Sequence, residues 1–157
     1  ESPRGSVHAL SSAGIRIPKM QISAGLRFEA VDADTEALLR PFDDGVYLHQ
    51  VVERSAGRVT RHADLADAFA AAASGPSDAE REWRVHFHVP IFLEDLGACG
   101  TTQAHIREVL ALHRGEPVSD HLEVETYTWD VLPESFRSTD TATAVARELE
   151  WVIRQLA

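Results

Sequence analysis

Residues 84–92 read Arg-Val-His-Phe-His-Val-Pro-Ile-Phe. Val85, Phe87, Val89 and Ile91 share one parity, and His86 and His88 share the other. Alternation of this kind is the signature of a strand with one apolar and one polar face. Working outward, two more runs alternate. In Pro18–Ser23, Met20 and Ile22 oppose Lys19, Gln21 and Ser23. In His121–Trp129, Leu122, Val124, Thr126 and Thr128 oppose His121, Glu123, Glu125, Tyr127 and Trp129.

Helical patterns separate and follow these runs. Asp34–Leu39 is short and stops before Pro41. Asp64–Ala73 is alanine-rich, with Leu65, Ala68, Phe69 and Ala72 at helical spacing. Thr101–His113 carries Ile106, Val109, Leu110 and His113, and Gly115 and Pro117 close it. Thr141–Leu156 follows the capping residues Thr139 and Asp140, with Val145, Leu149, Val152 and Leu156 on one face. Tyr47–Val52, Ser55-Ala56-Gly57 and Arg58–Thr60 read as a hairpin with a short glycine turn. Strands alternating with helices predict βα units on a parallel sheet, with the hairpin inserted in a βα loop. The polar inner parity suits a (β/α)₈ barrel, whose site lies at the C-terminal rim of the strands. Three units cannot close such a barrel, so a partial one is expected, as a single domain over 1–157.

Composition narrows the classes. The chain has 157 residues, 44% of them apolar, enough for a core of ordinary size. Fifteen Lys and Arg stand against 25 Asp and Glu, a net charge of −10. This balance argues against a basic nucleic-acid groove. No run of about 18 apolar residues predicts a membrane span. Glu1–Gly5 lacks the basic-then-apolar layout of a signal peptide. One cysteine, Cys99, precludes an internal disulfide and fits a reducing cytoplasm. Its place before a helix start would favour a thiolate, and its small neighbours equally suggest packing.

The chemistry-bearing residues fall on the polar strand faces. His86 and His88 are two apart and point the same way, so they could bind a divalent metal or shuttle a proton. Glu123 and Glu125 share a face, and burying both requires a cation, an arginine or a proton. Lys19 and Gln21 point with Ser23; a buried Lys19 could pair with the glutamates or act on a carbonyl. His49, in the hairpin, and Tyr127 and Trp129, at the end of the third strand, are candidate substrate contacts. Each also has a structural reading: a satisfied core histidine, a solvated strand face, an ordinary ion pair.

The runs KMQIS (19–23), VYLHQVV (46–52), RVHFHVPIFLEDLG (84–97) and HLEVETYTWDVLP (121–133) resemble the C-terminal part of the EboE family of metabolite traffic proteins. That family is similar to the xylose-isomerase-like TIM barrels. The resemblance implies that the three strands are the last three of a barrel and that Thr141–Leu156 is its closing helix. It also implies a sugar isomerase or epimerase handling a small metabolite, with a divalent Mn, Zn or Fe ion. Glu125 matches the superfamily's metal-ligand glutamate on the last strand, with Glu123 beside it. Gln21 and Ser23 depart from the His or Asp that relatives often carry. In the catalytic reading His88 is a ligand or acid/base group and Lys19 and Gln21 contact substrate. Gln21, His86, His49, Tyr127 and Trp129 complete the substrate set. The alternative is a non-catalytic metabolite-binding or trafficking protein. A third reading is structural: a partial barrel exposes strand edges that a homo-oligomer would hide.

Overall fold

The computed structural model describes residues 2–43, 45–76, 80–125 and 140–157. They form two compact units, each interleaved along the chain.

The first unit takes in residues 1–24, 88–94 and 102–157. Its sheet has two parallel strands, β1 (Met20–Ile22) and β7 (Leu122–Val124), with Gln21 opposite Glu123. Two strands alone are too few for a stable sheet, so helices must cover them. Three helices belong here: α1 (Pro3–Ser12), α4 (Gln103–Gly115) and α5 (Thr141–Leu156). The α5 helix packs on α4 and on β7, and α1 packs on α4. Ser2 caps α1 through a hydrogen bond from the Gly5 N–H, with Pro3 at the first helical position. Asp140 caps α5 by accepting from the Thr143 N–H.

The bounds of α5 follow the sequence expectation, and its fully buried face does so only at Val152. The structure buries Ala144, Glu148, Trp151 and Val152 and leaves Leu149 47% exposed. The reason is polar. Glu148 is fully buried, and its Oε1 accepts the Ile91 N–H at 3.1 Å. Gln103, also buried, donates to the Ile91 carbonyl at 2.8 Å. Apolar spacing alone cannot see a helix face set by a buried carboxylate.

The second unit takes in residues 25–87 and 95–101. Its elements are β2 (Ala24–Phe28), α2 (Ala33–Leu39), a 3₁₀ turn at Arg40–Phe42, β3 (Val51–Ser55), β4 (Arg58–His62), α3 (Leu65–Ser74), β5 (Arg81–Val89) and the two-residue β6 (Gly100–Thr101). By this division Ala24, His88 and Val89 count with the first unit. The strand order is β4-β3-β5-β2-β6. β3 pairs antiparallel with both β4 and β5, and β2 pairs antiparallel with β6.

This architecture corrects the expected barrel. A (β/α)₈ barrel needs eight parallel strands closed on themselves. Here the parallel pair stands alone, and β5 lies in an open sheet beside an antiparallel neighbour. The hairpin is therefore no insertion. Ala56 and Gly57 have φ of +47° and +75°, the two positive values a type I′ turn demands. That turn folds β4 back on β3, and the other edge of β3 receives β5. Local turn chemistry thus builds the larger sheet.

α3 covers one face of this sheet. Its Phe69 ring lies 5.9 Å from the Trp83 ring, and Trp83 is fully buried. Beneath it, Trp83 Nε1 donates to Glu53 at 2.8 Å, and Arg81 stands 3.6 Å from the same carboxylate.

Candidate functional site

The expected site residues are scattered. Lys19 Nζ lies 2.5 Å from Glu123 Oε2, with both side chains about half exposed (49% and 51%). The Glu123 hydrogen bond and charge hold the Lys19 ammonium above its ordinary pKa, with Glu125 adding to this. Gln21 is exposed; Glu125 is half-buried, and its N–H donates to the Ile22 carbonyl. Lys19, Gln21 and Glu123 are therefore brought together on one exposed face of the two-stranded sheet, with Glu125 half-buried beside them. His88 is buried, at 6% exposure.

In the second unit, His86 is exposed, with Nδ1 3.4 Å from Gln50 Oε1. His49 is buried and stacked on Phe87, with ring centroids 5.1 Å apart, and its N–H donates to Asp64. Tyr127 and Trp129 lie outside the described residues. Among the described residues no three His, Cys, Asp or Glu side chains stand together as a metal group. Burial, with Asp95 nearby, pushes the Cys99 thiol up to about 11, so it is a neutral thiol at physiological pH.

A different constellation dominates the open face of the five-stranded sheet. Residues directly opposite on neighbouring strands share a face. The register therefore sets Arg61, Val52 and Arg84 in one row, and Val59, Arg54 and Glu82 in the next. Glu82 is the hub. Arg54 Nη2 lies 2.5 Å and Arg27 Nη2 3.4 Å from its Oε2, and Arg84 Nε donates to its Oε1 at 3.0 Å. The Glu82 side chain is only 9% exposed, whereas Arg54 and Arg84 are 58% and 46% exposed. Burial alone would raise the Glu82 carboxyl; the hydrogen bonds and charges of Arg84 and Arg27 outweigh it and hold the carboxyl below its ordinary value. Arg27 also reaches Glu29, at 3.2 Å.

Four arginines, Arg27, Arg54, Arg61 and Arg84, thus gather on this face around Glu82, and on the Arg27 side Glu29, Asp32, Asp34 and Asp95 line an adjoining depression. Glu82 fixes three guanidinium groups in place while their outer N–H donors stay in water, an arrangement suited to a planar or tetrahedral oxyanion. Sequence reasoning missed this cluster because its members come from three strands. The signal within reach was local: Arg81, Glu82 and Arg84 stand together at the head of β5, an acid among bases on a strand.

No family model, curated protein or solved structure matches this chain.

Proposed function

We propose that this chain binds a small anionic metabolite, of the sugar-phosphate or polycarboxylate class, on the open face of its five-stranded sheet. The observation that carries this reading is the convergence of Arg27, Arg54 and Arg84 on the nearly buried Glu82. A guanidinium already held by a carboxylate loses little rotamer freedom on meeting a ligand, so its remaining donors bind at lower cost. Arg61 and His86, on the same face, supply further donors at its margin. Of the two functions implied by the EboE resemblance, metabolite binding is the one retained. The isomerase function leaned on a closed barrel, and the described strands form open sheets instead.

The test is calorimetric titration of the whole chain with a hexose phosphate, inorganic phosphate and citrate. Saturable binding to at least one is expected, weakening with added salt as screened charge must. Arg54→Ala with Arg84→Ala should weaken it by about tenfold or more, each guanidinium–anion contact contributing on the order of 1 kcal/mol. Absence of binding to all three, or equal binding by the double variant, overturns the proposal.

A further inference from the structure

The outer edge of β4 points to a second kind of partner. β4 is the terminal strand of the sheet order. In a two-residue hairpin the residues flanking the turn form a hydrogen-bonded pair, and the pairs alternate from there. Ser55 and Arg58 flank the turn, so Arg58, Thr60 and His62 turn their backbone groups toward β3. The backbone groups of Val59 and Arg61 turn outward. The same alternation explains why the Gln50 carbonyl faces away from β4 and accepts from the His86 N–H of β5. Val59 and Arg61 therefore offer two N–H donors and two carbonyl acceptors along an edge that no described strand covers.

The side chains select what can pair there. Arg58–His62 reads Arg-Val-Thr-Arg-His, with no acid, in a chain whose acids outnumber its bases by ten. Residues 58–61 are all exposed. Arg61 lies on the open face and Arg58 on the opposite one, so an incoming strand meets a guanidinium on either side. Pairing of β4 with its own copy would crowd four arginines into one ribbon with no carboxylate to offset them. Like charges set across strands destabilise a sheet and opposite charges stabilise it. We propose that the β4 edge receives an extended acidic segment of a partner protein, added to the sheet as a sixth strand by main-chain hydrogen bonds. This site adjoins the metabolite face and shares Arg61 with its margin, but it rests on the edge backbone and Arg58, whereas that face rests on Arg27, Arg54 and Arg84.

The experiment uses two fluorescent synthetic decapeptides, one alternating Glu and Val and one alternating Lys and Val, titrated against the whole chain by anisotropy. The Glu–Val peptide should bind and the Lys–Val peptide should not. Val59→Pro removes an outward donor that the β3 ladder does not use, and should abolish binding. Arg58→Glu leaves the backbone intact; it should weaken the Glu–Val peptide about fivefold or more and admit the Lys–Val peptide. That second variant decides the matter if Val59→Pro fails to fold by circular dichroism. Arg58→Glu should leave phosphate or citrate binding unchanged, which separates this proposal from the preceding one. Equal binding of both peptides, or no effect of Arg58→Glu, overturns it. So does a wild-type dimer that Val59→Pro converts to monomer, since the occupant would then be a second copy.

Discussion

Two carboxylate–cation clusters sit on the two sheets and differ in almost every physical respect. Glu123 meets a single lysine across the face of the parallel pair, with both side chains about half exposed. Glu82 meets three arginines within the antiparallel sheet and is nearly shut off from solvent. The first is an ordinary surface pair, of the kind that contributes little to stability. The second couples three strands, β2, β3 and β5, through one side chain. A shared strand parity identifies which acids face the same way, but burial decides which acid organises its surroundings.

The largest effect should come from the floor of the antiparallel sheet. Trp83→Ala empties a fully buried site under α3 and should cost about 3–5 kcal/mol in urea unfolding. It should also weaken anion binding, because the strands that carry the arginines lose their register.

Glu82→Gln comes next. It keeps the shape and removes the charge, and should cost about 1–3 kcal/mol, held down by the water around the arginine partners. The pH dependence gives the sign. The Glu82 carboxyl titrates below its ordinary 4.5 in the folded chain. Its contribution is therefore fully present above 4.5 and lost as pH falls through the lower folded value. A pH series of thermal melts should show that loss in the wild type and a flatter acid limb in Glu82→Gln.

Ala56→Gly should stabilise the hairpin. Alanine at φ +47° carries the left-handed penalty that glycine escapes, and relief of about 0.5–1 kcal/mol should appear as a raised Tm. Smallest of all is Lys19→Ala. The lysine is exposed and its pair is screened, so no shift in Tm should be detectable at physiological salt. What the pair does contribute is present below pH 10.5 and disappears as pH climbs through the raised Lys19 value.

Elements whose signal is local were legible in the sequence. Asp64 heads α3, Asp140 heads α5, and Ser55–Arg58 turns the hairpin, as turn residues and helical spacing indicate. Pairing was not legible. Nothing within Lys19–Ser23 states that β1 lies beside β7, and nothing within 84–92 states that β5 takes β3 as its neighbour. The polar parity read as a barrel interior is exposed at Lys19, Gln21, Glu123 and His86 and buried at His88, on open sheets, and alternation alone does not tell these cases from a barrel. β2, β6 and α1 escaped notice: β2 follows directly on the Pro18–Ser23 run, β6 is two residues long, and α1 announced itself only by Ser2 and Pro3. For the site, Glu123 with Lys19 was found because both candidates were already in view. The Glu82 hub was not, because Arg27 and Arg54 are far from it in sequence.

Ile91 lies outside every helix and strand, in a turn, yet it is fully buried and both its backbone polar groups are held by side chains, Glu148 on the N–H and Gln103 on the carbonyl. Turn amides usually exchange with solvent deuterium at once, since no ladder protects them. The Ile91 amide has a carboxylate of α5 for its acceptor, so it exchanges only when that helix lifts away. A single slow proton in an irregular stretch thus serves as a clock for the opening of the first unit, readable without any substitution.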